Sequence, residues 1–107
     1  MTSKDIITSL PEKVNPSAIE GLETVFHFEI TLPDDSVSQY TLELKDNNLT
    51  AYEDFIGEPK CVVKAKEEDF VNLVSGKLNP MLAIMTGKVK ISNQGEMLKY
   101  AKVFGFL

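Results

Sequence analysis

The chain has 107 residues, 43% of them apolar and 25% charged, with a formal net charge of −5. That length suits a single domain, 1–107, with one modest core, and the acidic balance argues against a nucleic-acid partner, whose phosphates need a basic face. No apolar run approaches the roughly 20 residues of a membrane span. The N-terminus lacks the apolar segment of a secretory signal, and Cys61 is the only cysteine, which together lead to the expectation of a reducing, cytoplasmic setting.

The first twelve or so residues suggest a helix over 3–14, with Ile6, Ile7 and Leu10 as its apolar stripe. Pro11 either kinks it or ends it. Asn15-Pro16 offers an Asn cap and a Pro start for a short helical turn that stops at Gly21. The apolar period then changes from 3.6 to 2. In 25–32, Phe26, Phe28, Ile30 and Leu32 point one way and Val25, His27, Glu29 and Thr31 the other, as in a half-buried strand. A second strand over 37–44 turns Tyr40, Leu42 and Leu44 inward, after a turn at Pro33-Asp34-Asp35-Ser36. Asp46-Asn47-Asn48 makes a tight hairpin to a short third strand over 49–53. A loop over 54–59 leads to a fourth strand, 60–66, with Cys61, Val63 and Ala65 inward.

The most informative stretch is 67–91. The acidic run Glu67-Glu68-Asp69 opens a helix with Phe70, Leu73 and Val74 on one face, and Gly76 closes it. Asn79-Pro80 starts a second helix, Met81-Leu82-Ala83-Ile84-Met85, apolar all round and ended by Gly87. A helix so short can be apolar on every side only if two surfaces cover it: the protein's own sheet, and then more protein, a second subunit or an apolar ligand. A fifth strand over 88–92 follows. Asn93-Gln94-Gly95 is expected to turn the chain into a last helix over 96–104, with Met97, Leu98, Ala101 and Phe104 on one face and an apolar tail, Phe106-Leu107, docking behind it. One-sided strands demand that all the helices lie on one side. The fold class is therefore α+β, a five-stranded, mostly antiparallel sheet with helices packed on one face.

Candidate chemistry is sparse. His27 is the only histidine, and it reads as a surface strand residue. No Cys/His pair has zinc spacing, and neither a glycine-rich phosphate loop nor a GxSxG elbow occurs. The two acidic clusters have local explanations as a turn and a helix start. The expectation is a protein that is not an enzyme and needs no cofactor or metal. Charge is unevenly placed: residues 1–75 hold 6 Lys and 15 acids, whereas residues 76–107 hold 5 Lys and Glu96 alone. A basic final third beside an apolar helix is compatible with transient contact with an anionic membrane surface.

Residues 67–91 resemble the sterol carrier protein 2-like domain. The resemblance is carried by Glu68-Asp69-Phe70, Leu73, Gly76-Lys77-Leu78-Asn79-Pro80, Met81 to Met85, and Gly87-Lys88-Val89-Lys90-Ile91. It implies a tunnel between sheet and helices for a sterol, fatty acid or fatty acyl-CoA. Carried over by position, the ligand-binding residues are Phe70, Leu73, Val74, Leu78, Met81, Leu82, Ile84 and Met85, with Met97, Leu98, Ala101 and Phe104. Met81 stands where many relatives have Gln, and Ile84-Met85 where they have an aromatic pair, which favours a fatty acyl chain over a sterol. The function expected is non-enzymatic lipid binding or transfer with an apolar small molecule as partner. The alternative is a protein-interaction module or homodimer that uses helix 80–86 and the tail as its interface.

Overall fold

The computed structural model describes residues 1–106. Strands β1 (Thr24–Thr31), β2 (Val37–Lys45), β3 (Asn48–Tyr52), β4 (Cys61–Lys66) and β5 (Val89–Ile91) form one sheet in the order β3-β2-β1-β4-β5. β1 pairs with β4 in parallel and every other pairing is antiparallel. The parallel pair follows from the long excursion through β2, β3 and the 53–60 loop, which brings the chain back beside β1 with its direction unchanged. Helices α1 (Ser3–Lys13), α2 (Glu67–Val74), α3 (Pro80–Met85) and α4 (Gln94–Ala101), with a 3₁₀ turn at Pro16–Ala18, complete an α+β domain.

The alternation in the strands sets the core. Phe26, Phe28, Ile30, Tyr40, Leu42, Leu44, Cys61, Val63, Ala65 and Val89 are all buried. In register, Phe26 stands beside Leu42 and Cys61, and Phe28 beside Tyr40 and Val63, so the inward set forms continuous rows across the sheet. Side chains from the helices, Ile7, Phe70, Ala83 and Tyr100, and Phe104 from the turn after α4 close over these rows. Six aromatic rings interlock at the centre, those of Phe26, Phe28, Phe70, Tyr100, Phe104 and Phe106, with Phe104 edge-on to Phe26 at 5.2 Å and Phe106 edge-on to both Phe28 and Phe70 at 6.0 and 5.8 Å. Such edge-to-face pairs add to what area burial alone supplies.

Helix starts are chemically specified. Thr2 and Asp5 form a reciprocal capping box on α1, and Pro11 is accommodated in its last turns without ending it. Asn79 caps α3 by accepting from the amides of Met81 and Leu82. Ser3 donates both its amide and its hydroxyl to the Glu67 carboxylate, tying the first turn of α1 to that of α2.

Two expectations are corrected. The last helix begins earlier than 96, because Asn93 is its cap (its side chain accepts from the Glu96 amide at 3.1 Å) and Gln94-Gly95 form its first turn. It also ends earlier, at Ala101, where the Phe106 amide reaches back to the Ala101 carbonyl at 2.8 Å and Gly105 takes φ 76°. That left-handed glycine turns the chain back, placing Phe106 in the core. His27 is not a surface residue. Its ring is buried, stacked on Phe55 at 4.3 Å, with Nε2 2.9 Å from the Ile56 carbonyl. Since a carbonyl can only accept, Nε2 carries the proton. The cause is the 53–60 loop, which folds over the far face of the sheet and is pinned there by Thr41. The Thr41 hydroxyl donates to the Asp54 carbonyl at 2.7 Å and accepts from the Ile56 amide at 2.9 Å.

Candidate functional site: an apolar cavity beneath α3 and α4

The β4–α2–α3–β5–α4 succession brings chain from both layers around one hollow. Phe28 of β1, Val63 of β4 and Val89 and Ile91 of β5 form its floor. Its walls are Phe70 and Leu73 from α2, Pro80 and Ile84 from α3, and Met97, Leu98 and Ala101 from α4, with Phe106 closing one side. Every contributing side chain is apolar, so nothing in the wall would hold a polar solute by hydrogen bonding. The hollow has a volume of about 70 Å³. Drug-sized ligands occupy pockets of roughly 300–1,000 Å³, so in this conformation most of the space between the layers is filled by the protein's own side chains.

Helix geometry explains which residues reach the hollow. On α2, Phe70 and Leu73 are three apart and share the cavity face. On α3, Pro80 and Ile84 are four apart and face inward, while Ala83 packs against the sheet with no exposure. Met81, Leu82 and Met85 occupy the opposite side of α3 and stand 67%, 56% and 74% exposed. On α4, Met97, Leu98 and Ala101 point at the cavity, and Leu98, 70% exposed, sits at its rim.

Six of the twelve residues expected to meet a ligand therefore share one wall: Phe70, Leu73, Ile84, Met97, Leu98 and Ala101. Val74 and Phe104 instead border a separate groove of about 250 Å³ beside α1. Leu78 packs behind the cavity, in the cleft between α2 and α3. Met81, Leu82 and Met85 face outward. Sequence reasoning missed Phe28, Val63, Val89, Ile91, Pro80 and Phe106. The inward phase of the strands marked the first four as core, and only their position in the sheet reveals which core residues border a hollow. Tyr100 was also missed: it is buried between Phe26 and Phe104, and its hydroxyl donates to the Glu23 carbonyl at 3.1 Å.

Titratable groups contribute little. Among the described residues, no group of three or more His, Cys, Asp or Glu side chains could hold a metal ion. Cys61 lies on the inward face of β4, and burial pushes its thiol above the usual range. Glu96, the one acid after residue 75, accepts from the Thr24 hydroxyl at 2.6 Å and so turns toward the protein body.

The architecture recurs in known proteins. The solution structure of palmitated SCP2L2 from Aedes aegypti superposes with a TM-score of 0.75 at 22% identity, covering 97% of this chain and 95% of that one. The sterol carrier protein domain 2 of Helicoverpa armigera gives a TM-score of 0.76 at 25% identity, covering 94% of this chain and 80% of that one. By sequence, the chain is 28% identical over 93 residues to hydroxysteroid dehydrogenase-like protein 2 of Bos taurus, covering 86% of this chain and 22% of the relative. It is 26% identical over 107 residues to the Xenopus laevis protein of the same name, covering 95% of this chain and 24% of that one. The chain thus spans under a quarter of the length of these relatives. The pattern of the SCP-2 sterol transfer family matches residues 4–105. The chain belongs to that family, a family of lipid-binding or lipid-transfer domains.

Proposed function

We propose that this domain is a non-enzymatic lipid carrier that holds one apolar ligand, a fatty acyl chain in the first instance, between its sheet and α2, α3 and α4. The observation that carries this reading is the wholly apolar hollow at the junction of those elements, with exposed Leu98 at its rim. The wall offers no group to orient a polar head, which suits an acyl chain better than a ligand recognised by hydrogen bonds. A palmitated protein of the same fold makes a fatty acid the natural first probe.

A hollow of about 70 Å³ is too small for such a ligand, so binding requires expansion. Two parts of the wall can supply it. α3 is six residues long with only Ala83 fully buried, so few of its own side chains anchor it to the core. Phe106 lies beyond the left-handed turn at Gly105 and fills the space between Phe28 and Phe70. Ligand carbons taking the place of this ring would keep the aromatic core covered, each buried CH₂ contributing about 0.8 kcal/mol.

The test is displacement of a fluorescent fatty acid from the protein and from Ile84→Trp, a substitution that fills the hollow from the α3 wall. Probe affinity should fall at least tenfold in the variant, with circular dichroism unchanged. Equal affinity in a folded variant would remove this cavity as the ligand site. A second reading, a homodimer through α3, has the outward Met81, Leu82 and Met85 in its favour. Sedimentation velocity that shows a dimer dissociated by Met85→Asp would support it.

A further inference from the structure

A fatty acid carries a carboxylate that a wholly apolar hollow cannot receive, so its charged end must lie elsewhere. Three hollows meet around the Gly105–Phe106 turn. Leu73, Pro80 and Phe106 border both the central hollow and the cleft between α2 and α3. Val74 and Gly105 border both that cleft and the groove of about 250 Å³ beside α1. The Phe106 ring stands between the hollow and the cleft, and Gly105 between the cleft and the groove. Ligand carbons in the place of this ring would therefore join the three into one channel.

The groove at the far end differs chemically from the hollow. Ile6, Leu10, Val14, Val74, Val103 and Phe104 give it an apolar bed, and Lys13 and Lys102 stand on its border with no acid in the lining. The salt bridges found among the described residues, Lys4–Glu53 and Lys64–Glu29, involve neither lysine. Glu12 precedes Lys13 but lies on another side of α1, because adjacent helical residues do not share a face. Both lysines sit near helix ends, where free carbonyls could compete for their charge. Those carbonyls are already engaged: Leu10 accepts from the Val14 amide, and Tyr100, Ala101 and Lys102 accept from the amides of Phe104, Phe106 and Gly105. The cleft offers only one cation, Lys77.

We propose that the groove beside α1 is a head-group site for an aliphatic carboxylate, held between Lys13 and Lys102, with its chain running past Gly105 into the space that Phe106 vacates. This deepens the carrier reading and rests on it. The hollow supplies apolar burial to any chain, and the two lysines supply a preference for an anionic head. A neutral lipid of equal length gains nothing from them.

The test is isothermal titration calorimetry of the full chain with decanoate and with decanol, at a pH where the acid is ionised. The unmodified protein should bind both, the acid more tightly. Lys13→Gln with Lys102→Gln should weaken the acid about tenfold, each exposed ion pair being worth up to roughly five-fold, and leave the alcohol unchanged. Lys13→Glu with Lys102→Glu should turn the preference toward decylamine, and Lys77→Gln should alter neither affinity. Equal losses of acid and alcohol, or an acid affinity indifferent to both groove lysines, would overturn the inference. So would a loss confined to Lys77→Gln, which would seat the head in the cleft. Amide chemical shifts give an independent readout: one equivalent of decanoate should move Lys13 and Lys102 together with Val63 and Val89 of the cavity floor, and shifts at the floor alone would count against the groove. Failure of the unmodified protein to bind either amphiphile removes the carrier reading itself, whereas binding of both without sensitivity to the lysines removes only the head-group site.

Discussion

Phe106 shows how much a single side chain decides here. Its ring completes the aromatic cluster with Phe28, Phe70 and Phe104 and simultaneously narrows the cavity. Cys61 illustrates a buried group without a chemical role in this account. Its thiol faces the core and donates weakly to the Asn93 carbonyl at 3.5 Å, and burial raises its pKa. The thiolate is the reactive form, so iodoacetamide should label Cys61 far more slowly in the native protein than in urea; equal rates would show that β4 opens readily. The same shift sets a sign for stability. The unfolded thiol ionises first, so the unfolded state binds fewer protons and the contribution to folding declines as pH rises through the unfolded thiol's pKa. His27 was misjudged from sequence because strand alternation describes an element, not what later folds over it.

Among the elements, α3 combines the strongest local signals with the weakest hold on the core. Asn79 accepts from two amides, Pro80 presets the first turn, and Gly87 takes φ 75° to leave it. All of this was legible, because capping chemistry lies within a few residues. Which side of α3 faces inward was not: a helix apolar all round carries no phase, and only its placement over β5 selects Ala83 and Ile84 over Met81 and Met85. Asn79→Ala should weaken the helix by about 1 kcal/mol, seen as roughly five-fold faster amide exchange within α3 while the β1–β4 amides are unaffected. Unchanged exchange in α3 would mean that the helix is held by packing rather than by its cap, and that it is a poor candidate for a moving wall. α4 gives the opposite lesson. Asn93-Gln94-Gly95 reads as a turn, yet Asn93 is the cap, its side chain accepting from the Glu96 amide, and glycine is tolerated in the first turn that this cap opens.

At the scale of the whole molecule, the period-2 strands and the two Gly-Lys pairs around Asn79-Pro80 made the α+β architecture readable, whereas the sheet order β3-β2-β1-β4-β5 and its one parallel pairing came only with the structure. The cavity was only half readable. Its helical wall follows from i, i+3 and i+4 spacing, whereas its floor of Phe28, Val63, Val89 and Ile91 is assembled from three strands that are distant in sequence. The outward apolar residues Met81, Leu82, Met85 and Leu98 lie on α3 and α4, across the sheet from the loop that buries His27. The central claim is that the space between the layers accepts a lipid. Native mass spectrometry of freshly purified protein tests this most directly: the account predicts a monomer carrying one apolar adduct of lipid mass, removable by organic extraction and restored by adding a fatty acid. A chain that remains free of adduct after fatty acid is supplied, whether as monomer or dimer, would contradict it.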